Sequence, residues 1–267
     1  MKVSIIGLGW LGLQLAERFS QAGFEVKGTV RSSDKANTLN HLQVDICLYE
    51  FPNQAPDTVF DADALILTIP PGKIEDYLGM VWTLTEEIKL SSIRKIVFLS
   101  SVSVYPECNQ TVDESYSGQP DSPQGKTLLE AEKMLLGIRG KTVSICRLGG
   151  LVGQNRHPGK FLAGRKDLPN PNSPVNLIHG QDATELIYTL LTQENVSSIY
   201  NLCSAEHPTR KTFYVKAADL LGLERPEFQT EGKESWKLVS NQKILDQVDG
   251  FEFRSLLPEL ITEEETV

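Results

Sequence analysis

Short apolar runs alternate along the chain with longer segments in which apolar residues recur every three or four positions. The runs are typical of strands buried on both faces of a parallel sheet, and the longer segments are typical of amphipathic helices. The predicted strands are Val3–Ile6, Glu25–Val30, Val44–Tyr49, Ala64–Ile69 and Lys95–Ser100, and the predicted helices are Leu13–Ala22 and Lys73–Leu90. The alternation of strands and helices predicts an α/β protein with a parallel sheet.

A glycine-rich segment, Gly7–Gly12, joins the first predicted strand to the first helix, and we call it the glycine turn. Gly7, Gly9 and Gly12 have the spacing G-x-G-x-x-G, which is typical of dinucleotide sites. A side chain at Gly7 or Gly9 would block the turn and keep the backbone away from a pyrophosphate, and one at Gly12 would hold the helix off the strand. The helix N-terminus offers N–H groups to phosphates. The sequence therefore predicts that this turn, including Trp10 and Leu11, binds a dinucleotide.

The second strand is followed by Arg31 and Ser32, with no carboxylate before Asp34. An acidic residue at this position suits the ribose hydroxyls of NAD, whereas a basic one suits the extra phosphate of NADP. We therefore predict NADP as the cofactor, with NAD as the alternative. The other interpretation is that Arg31 is a solvated residue at the strand end and that Ser33 caps the next helix.

The fourth predicted strand ends at Thr68, Ile69 and Pro70. Ligands of open parallel sheets bind outside the carboxyl ends of the strands, so these residues are candidates to line the cofactor. A plain exit from strand to loop is the alternative.

Charge and cysteine content narrow the choice of partners and compartment. The formal net charge of -9 argues against nucleic acid or an anionic membrane as the main partner. The cysteines form no C-x-x-C pair, which gives neither a zinc pattern nor a disulfide framework and indicates a reducing cytoplasm; they are Cys47, Cys108, Cys146 and Cys203. We predict no metal site, a small-molecule substrate and a cytoplasmic protein. A homodimer is compatible with the sequence.

Several later segments resemble one family. They are Ser-Ser-Val-Ser-Val-Tyr at Ser100–Tyr105, Ser122-Pro123 at the start of a helix, and Cys-Arg-Leu-Gly-Gly at Cys146–Gly150. Together with the glycine turn they resemble the extended short-chain dehydrogenases/reductases, the NAD-dependent epimerases and dehydratases acting on nucleotide sugars. Small bacterial members described as atypical and as nucleoside-diphosphate-sugar epimerases look most similar.

The resemblance implies a doubly wound parallel Rossmann sheet with a small C-terminal substrate lobe. Residues 1–150 with 180–204 would form the cofactor domain, and residues 151–179 with 205–267 the substrate lobe. Ser101 matches the family serine that binds the reacting hydroxyl or carbonyl. The resemblance also assigns residues flanking these strand ends: Ser100, Arg147 and Leu148 to the cofactor, and Ser103 and Tyr105 to the substrate. For Arg147 the contact is either the nicotinamide or a carboxylate.

The proton-transfer pair of this family, Tyr-x-x-x-Lys, is absent. The matching positions hold Gln124 and Leu128, and none of the seven tyrosines has a lysine four residues on. An amide does not titrate, and leucine carries no charge. General acid/base assistance is typically worth about 10²- to 10⁴-fold, so ordinary turnover should be crippled unless another acid, such as Tyr116, substitutes. We assign Gln124 to the substrate site.

The segment after Gly150 is basic, with five cationic or titratable residues before the next acidic one: Arg156, His157, Lys160, Arg165 and Lys166. Arg156 and His157 are candidates to bind an anionic substrate. The alternative is a solvated basic loop in which Pro158 orders His157. Nearby, we expect His179 to pack in the core beside Asp182, and Asp182 to cap the helix Ala183–Leu191.

Two functions fit the sequence. One is an NADP-dependent oxidoreductase or epimerase-like enzyme with a non-standard proton donor, in which Ser101 polarises the substrate oxygen. The other is a non-catalytic protein of the same fold that senses NADP(H).

Overall fold

The structure is a computed structural model that describes residues 1–194 and 198–256. The acidic segment Glu263–Glu265, which the sequence predicts to be disordered, lies outside the described residues.

The strands follow the apolar runs. They are β1 (Lys2–Ile6), β2 (Glu25–Val30), β3 (Asp45–Leu48), β4 (Ala64–Leu67), β5 (Lys95–Ser101), β6 (Gln110–Val112), β7 (Thr142–Leu148), β8 (Gly150–Val152), β9 (Leu177–His179), β10 (Ser198–Leu202) and β11 (Lys237–Val239).

The helices follow the segments of three-to-four periodicity. They are α1 (Trp10–Gln21), α2 (Ser33–Thr38), α3 (Tyr77–Leu90), α4 (Pro123–Leu136), α5 (Gly159–Leu162), α6 (Gly180–Thr192), α7 (Arg210–Leu220) and α8 (Gln242–Gln247). Short 3-10 helices are η1 (Asp57–Val59), η2 (Pro71–Lys73) and η3 (Val102–Val104).

The central sheet has seven strands in the order β10-β7-β5-β4-β1-β2-β3. β1 pairs in parallel with both β2 and β4, and its last residue, Ile6, lies opposite Leu67 of β4. β2 and β3 lie on one side of β1, and β4, β5, β7 and β10 lie on the other, so the strand order reverses between β1 and β4. In open parallel sheets this reversal is where ligands bind, at the carboxyl ends of the strands. The predicted Rossmann sheet is confirmed.

The core of the sheet is apolar on both faces, as the runs predict. In β4 all four residues are buried, and in β1 only Lys2 is exposed. The two small sheets, β6 with β11 and β8 with β9, are also parallel. Burial of these apolar side chains stabilises the fold.

The described chain divides into two compact units. Within the described residues, the first unit comprises Met1–Val104, Ser122–Arg147 and the ranges 184–194 and 198–200, and the second comprises Tyr105–Asp121, Leu148–Ala183 and the range 201–256. Tyr105–Asp121 thus clusters with the second unit, although the sequence division placed it in the first range. The assignment of a cofactor domain and a substrate lobe stays a prediction.

Three helix starts differ from the sequence expectation. The helix predicted from Leu13 begins at Trp10. The helix predicted from Lys73 begins at Tyr77, because Pro70 and Pro71 lead into η2 and the Asp76 side chain then caps α3. The prediction that Asp182 caps a helix beginning at Ala183 is wrong: α6 begins at Gly180, and Asp182 lies inside its first turn.

Candidate functional site

The glycine turn lies at the carboxyl end of β1. Gly7 has φ +104, a backbone conformation that favours glycine, and a Cβ there would lie 2.7 Å from Thr68 Oγ1. A Cβ at Gly12 would lie 2.2 Å from the carbonyl oxygen of Gly7, so only glycine lets α1 pack this close to the turn. Both glycines are therefore required by the protein's own packing.

Gly9 differs from its two neighbours. Its φ is -81, and a Cβ at this position would meet nothing within 4 Å. The expectation that a side chain here would block the turn itself is therefore wrong. A side chain at Gly9 would occupy open space beside the start of α1. The motif places a pyrophosphate in this space.

The N-terminus of α1 is available to an anion. Gly9 is the N-cap and provides no side-chain hydrogen bond, and the first turn contains no acidic residue. Within residues 1–194 and 198–256, no acceptor is found for the N–H groups of Leu11 and Gly12. Such N–H groups, together with the positive end of the helix dipole, favour phosphate.

The end of β4 is tied to the glycine turn. The Thr68 hydroxyl contacts the carbonyl oxygens of Ile6, at 3.1 Å, and of Gly7. The Tyr77 hydroxyl donates to the carbonyl oxygen of Ile69 at 2.9 Å, and burial raises the pKa of Tyr77. Thr68 therefore has a structural role in the turn, and Tyr77, which the sequence reasoning missed, fixes the residue before Pro70.

Arg31 and Ser32 follow the carboxyl end of β2, as the glycine turn follows the carboxyl end of β1. Arg31 is exposed, and it makes no hydrogen bond or ion pair with any residue in the described part of the chain. The Ser32 hydroxyl accepts from the Lys35 N–H at 3.4 Å and caps α2. The cap is thus Ser32, whereas the alternative interpretation named Ser33.

A buried polar cluster lies at the ends of β5 and β7. The Ser100 hydroxyl donates to Oε1 of Glu132 at 2.5 Å. The Arg147 guanidinium donates to the same carboxylate, with Nη2 2.6 Å from Oε2 and Nε 3.1 Å from Oε1. All three residues are at most 4% exposed. Of the two contacts that the sequence left open for Arg147, the structure has the carboxylate, and the contact of Arg147 and Ser100 with a cofactor stays a prediction.

Sequence reasoning missed Glu132. It lies four residues after the buried Leu128 on α4, so a carboxylate on the apolar face of a helix was the available signal. Buried charges of this kind are paired in nearly all folded proteins, and that rule alone predicts a cationic partner.

Ser101 is the last residue of β5. Its hydroxyl oxygen accepts from the Ser103 N–H at 3.1 Å, and both serines are half-buried. No described residue accepts the hydroxyl proton of Ser101, so the group can donate to a ligand oxygen. The catalytic role of Ser101 and the substrate role of Ser103 stay predictions.

The start of α4 has the geometry that the Ser-Pro motif predicts. The Ser122 hydroxyl accepts from the Gly125 N–H at 3.0 Å, and Pro123 occupies the first helical position. Gln124 is exposed and lines a cavity of about 340 Å³ against η2 and the start of α3. Leu128, one turn later, is buried at 4% exposure. The two positions that match the missing pair therefore differ, one facing a cavity and the other packed in the core.

Tyr105 and Leu148 belong to the second unit, and both are buried. The Tyr105 hydroxyl donates to Asn201 Oδ1 at 2.8 Å, and its ring packs edge-on against Tyr116, with centroids 6.2 Å apart. These contacts give Tyr105 a structural role within its unit. Its contact with a substrate stays a prediction.

The basic loop is only partly solvated. Arg156 is exposed and donates through Nε to the Leu151 carbonyl oxygen at 3.3 Å. His157 is 3% exposed, and its Nδ1 accepts from the Gly159 N–H at 3.1 Å. The alternative of a solvated loop is therefore wrong for His157. Lys166 forms an ion pair with Glu227, with Nζ 3.3 Å from Oε1.

His179 packs in the core as expected, at 6% exposure. Asp182 is fully buried, and its carboxylate accepts from the Arg254 N–H at 2.9 Å and from the Arg254 guanidinium. Its role is therefore to hold the chain around Arg254 rather than to cap α6.

The described residues contain no group of three or more His, Cys, Asp or Glu side chains that could hold a metal ion. Among the helices described, none combines the length and the apolar character required to span a membrane.

The sheet with its glycine turn at the point where the strand order reverses defines an α/β protein of the Rossmann type. The chain belongs to the NAD dependent epimerase/dehydratase family, whose model matches residues 3–167. It is 38% identical to Protein YeeZ of Escherichia coli strain K12, over 95% of this chain and 96% of that protein.

Solved structures share the fold. A conserved protein of Silicibacter pomeroyi has a TM-score of 0.81 at 20% identity, covering 97% of this chain and 96% of its own. MoeE5 in complex with UDP-glucuronic acid and NAD has a TM-score of 0.80 at 17% identity, with coverages of 97% and 96%. UDP-glucuronic acid 4-epimerase from Bacillus cereus in complex with NAD has a TM-score of 0.80 at 16% identity, with coverages of 98% and 95%.

Proposed function

We propose that the chain binds a nicotinamide dinucleotide at the glycine turn, with NADP preferred over NAD. The observation that carries the proposal is Gly9, because nothing in the protein's own packing requires glycine there and a bound pyrophosphate does. Membership of the NAD dependent epimerase/dehydratase family supports the same cofactor class.

The residues present fit this cofactor. The N–H groups of Leu11 and Gly12 would hold the pyrophosphate, and Thr68, Ile69 and Pro70 would line its path. Arg31 carries the preference for NADP, because an exposed guanidinium that has no partner within residues 1–194 and 198–256 suits the extra phosphate. When bound, the nicotinamide accepts or donates hydride.

The reaction that this site supports is that of an oxidoreductase or epimerase-like enzyme on a small substrate. The Ser101 hydroxyl would donate to the substrate oxygen, and Ser103 and Gln124 are further candidates to hydrogen-bond the substrate. For Arg156, which belongs to the second unit, the contact with an anionic or nucleotide-sugar-like substrate stays a prediction from the sequence. MoeE5 in complex with UDP-glucose and NAD, at 18% identity, makes nucleotide sugars the compounds to test first.

The cofactor preference is tested by titrating NADPH and NADH. We expect NADPH to bind about tenfold more tightly, and Arg31→Ala to remove this difference while leaving NADH affinity unchanged, because a phosphate contact with arginine is charge-assisted. Arg139→Ala, at another exposed arginine of the first unit, is the matched control and should change neither affinity. Equal affinity of the unaltered protein for the two cofactors would refute the preference.

A second function, a non-catalytic sensor of NADP(H), is favoured by Gln124. An amide stands where the resembling enzymes have the tyrosine that transfers the proton. We expect the purified protein to bind NADPH but to turn over UDP-glucose or UDP-galactose at least about a hundredfold more slowly than ordinary epimerases. Rapid interconversion of these sugars would exclude the sensor and would also require a substitute acid.

We place this activity in the cytoplasm, with a small molecule as the partner. The support is that Cys47, Cys108, Cys146 and Cys203 are all free thiols.

A further inference from the structure

The cavity that Gln124 lines is walled by η2, the start of α3 and the first turn of α4, all in the first unit. Its volume is about 340 Å³, which is within the range of small-ligand sites. Pro71, Ile74, Leu78 and Pro123 give it an apolar wall. The remaining side chains are polar, and these decide which ligand it suits.

Three of the polar side chains are already engaged by the protein. Asp76 Oδ1 accepts from the Gly79 N–H at 2.9 Å, and the Tyr77 hydroxyl donates to the Ile69 carbonyl oxygen at 2.9 Å. Thr127 donates to the Pro123 carbonyl oxygen at 3.1 Å. These three groups shape the cavity, and each already uses one hydrogen-bonding atom within the protein.

Glu75 and Gln124 are different. Both are exposed, and neither makes a hydrogen bond or ion pair with a residue in the ranges 1–194 and 198–256. A carboxylate and a carboxamide together accept from hydroxyl and ammonium groups, and the carboxamide also donates to hydroxyl oxygens. Lys, Arg and His are absent from the described residues that line the cavity, so an anion would meet carboxylates without a compensating cation.

We propose that this cavity binds a hydroxyl- or ammonium-bearing group of the ligand and discriminates against a carboxylate, with Glu75 as the specificity-determining residue and Gln124 as its hydrogen-bonding neighbour. The apolar wall packs against the carbon skeleton of the bound group. The inference rests on the proposed function for the identity of this group as part of the substrate. It restricts the proposed substrate, because an anionic portion would bind elsewhere than in this cavity.

Three sugars that differ in one group test the charge preference. Glucosamine, glucose and glucuronate are titrated into the full-length protein at slightly acidic pH and low salt, with and without saturating NADPH, and their affinities are measured by ligand-observed NMR. We expect glucosamine to bind about fivefold more tightly than glucuronate, with glucose between them, because exposed charges interact weakly in water. Added salt should reduce the difference.

Two substitutions assign the preference to Glu75. Glu75→Gln should reduce the difference between glucosamine and glucuronate, and Glu75→Lys should reverse it. Glu25→Lys makes the same charge change at the start of β2, at the amino ends of the parallel strands, whereas η2 follows the carboxyl end of β4. This variant should leave the affinity difference between glucosamine and glucuronate as it is. Thermal unfolding of each variant verifies that it is folded.

The proposal is overturned if none of the sugars binds, if glucuronate binds as well as glucosamine, or if Glu75→Lys leaves the order unchanged. NADPH titration of the same samples separates the two proposals. Sugar discrimination without NADPH binding would retain the cavity site and refute the proposed function, whereas NADPH binding without discrimination would do the reverse.

Discussion

Two helices of the first unit, α1 and α4, begin at residues that the sequence predicts to bind the cofactor or the substrate, and their N-termini are built differently. α1 begins after Gly9, which provides no side-chain cap and leaves open space in front of the helix. α4 begins after Ser122, whose hydroxyl accepts from the Gly125 N–H at 3.0 Å. The first N-terminus has no side-chain cap, and the second is capped by a side chain of the protein itself.

The interior faces of the two helices differ as well. Gly12 lets α1 pack directly against the glycine turn, so the packing of α1 shapes the proposed site. α4 buries Leu128 and Glu132, and its Gln124 has no titratable group to offer. We therefore predict that the start of α1 binds a dinucleotide, whereas α4 has a structural role, with Gln124 and Leu128 at the positions that the resemblance matches to the Tyr-x-x-x-Lys pair.

The largest effect is expected from breaking the buried cluster on α4. Glu132→Ala should lower the free energy of unfolding by about 3–5 kcal/mol, because it leaves the Arg147 guanidinium buried without its carboxylate. Chemical denaturation measures the change. Glu130→Ala, on the exposed face of the same helix, removes only a surface pair with Lys133 and should cost less than about 1 kcal/mol. Similar losses in the two variants would show that the cluster does not stabilise the unit.

A smaller effect separates the two roles of glycine in the turn. Gly12→Ser should lower the free energy of unfolding by about 2 kcal/mol, because its Cβ would lie 2.2 Å from the Gly7 carbonyl oxygen. Gly9→Ser should leave stability unchanged or slightly raised, since serine is a good N-cap, but should weaken NADPH binding at least about tenfold.

Thermal unfolding and NADPH titration of both variants distinguish these outcomes. If Gly9→Ser binds NADPH as tightly as the unaltered protein, the pyrophosphate does not lie against the start of α1, and the comparison of the two N-termini loses its functional meaning.

The smallest effect concerns the link between the dinucleotide site and the cavity. Tyr77→Phe should lower the free energy of unfolding by about 1 kcal/mol, because the Ile69 carbonyl oxygen loses its donor. NADPH affinity should fall by no more than about fivefold, since Ile69 only lines the proposed site. Tyr49→Phe is the control: the Tyr49 hydroxyl makes no hydrogen bond with the described residues. An unchanged stability in Tyr77→Phe would contradict the structural role of this hydroxyl.

Much of the fold follows from local pattern. The run at Glu25–Val30 is β2 without any change of boundary, and the Ser122-Pro123 motif marks the start of α4. Both depend on interactions within a few residues, which a sequence shows directly. The periodicity predicts a start of α3 at Lys73, which is too early, because Pro71 leads into η2 and Asp76 caps the helix that begins at Tyr77.

The candidate site was less predictable, because its contacts join residues that are far apart in the chain. Ser100 and Glu132 are 32 positions apart, and Asp182 and Arg254 are 72 apart. From the sequence alone, an aspartate that caps a helix cannot be told from one that forms a buried ion pair, because both only require a hydrogen-bonding partner. Only the position of Arg254 decides between them for Asp182.

The sequence by itself determined the parallel sheet, the glycine turn and the absence of the Tyr-x-x-x-Lys pair, since each depends on residue type and spacing alone. The tertiary structure decided that Gly9 faces open space while Gly12 is held by packing, although both are glycines of one motif. It also decided that Gln124 faces a cavity with Glu75. The physical reason is that spacing fixes which face of an element a residue occupies, whereas what lies opposite that face depends on how distant segments pack.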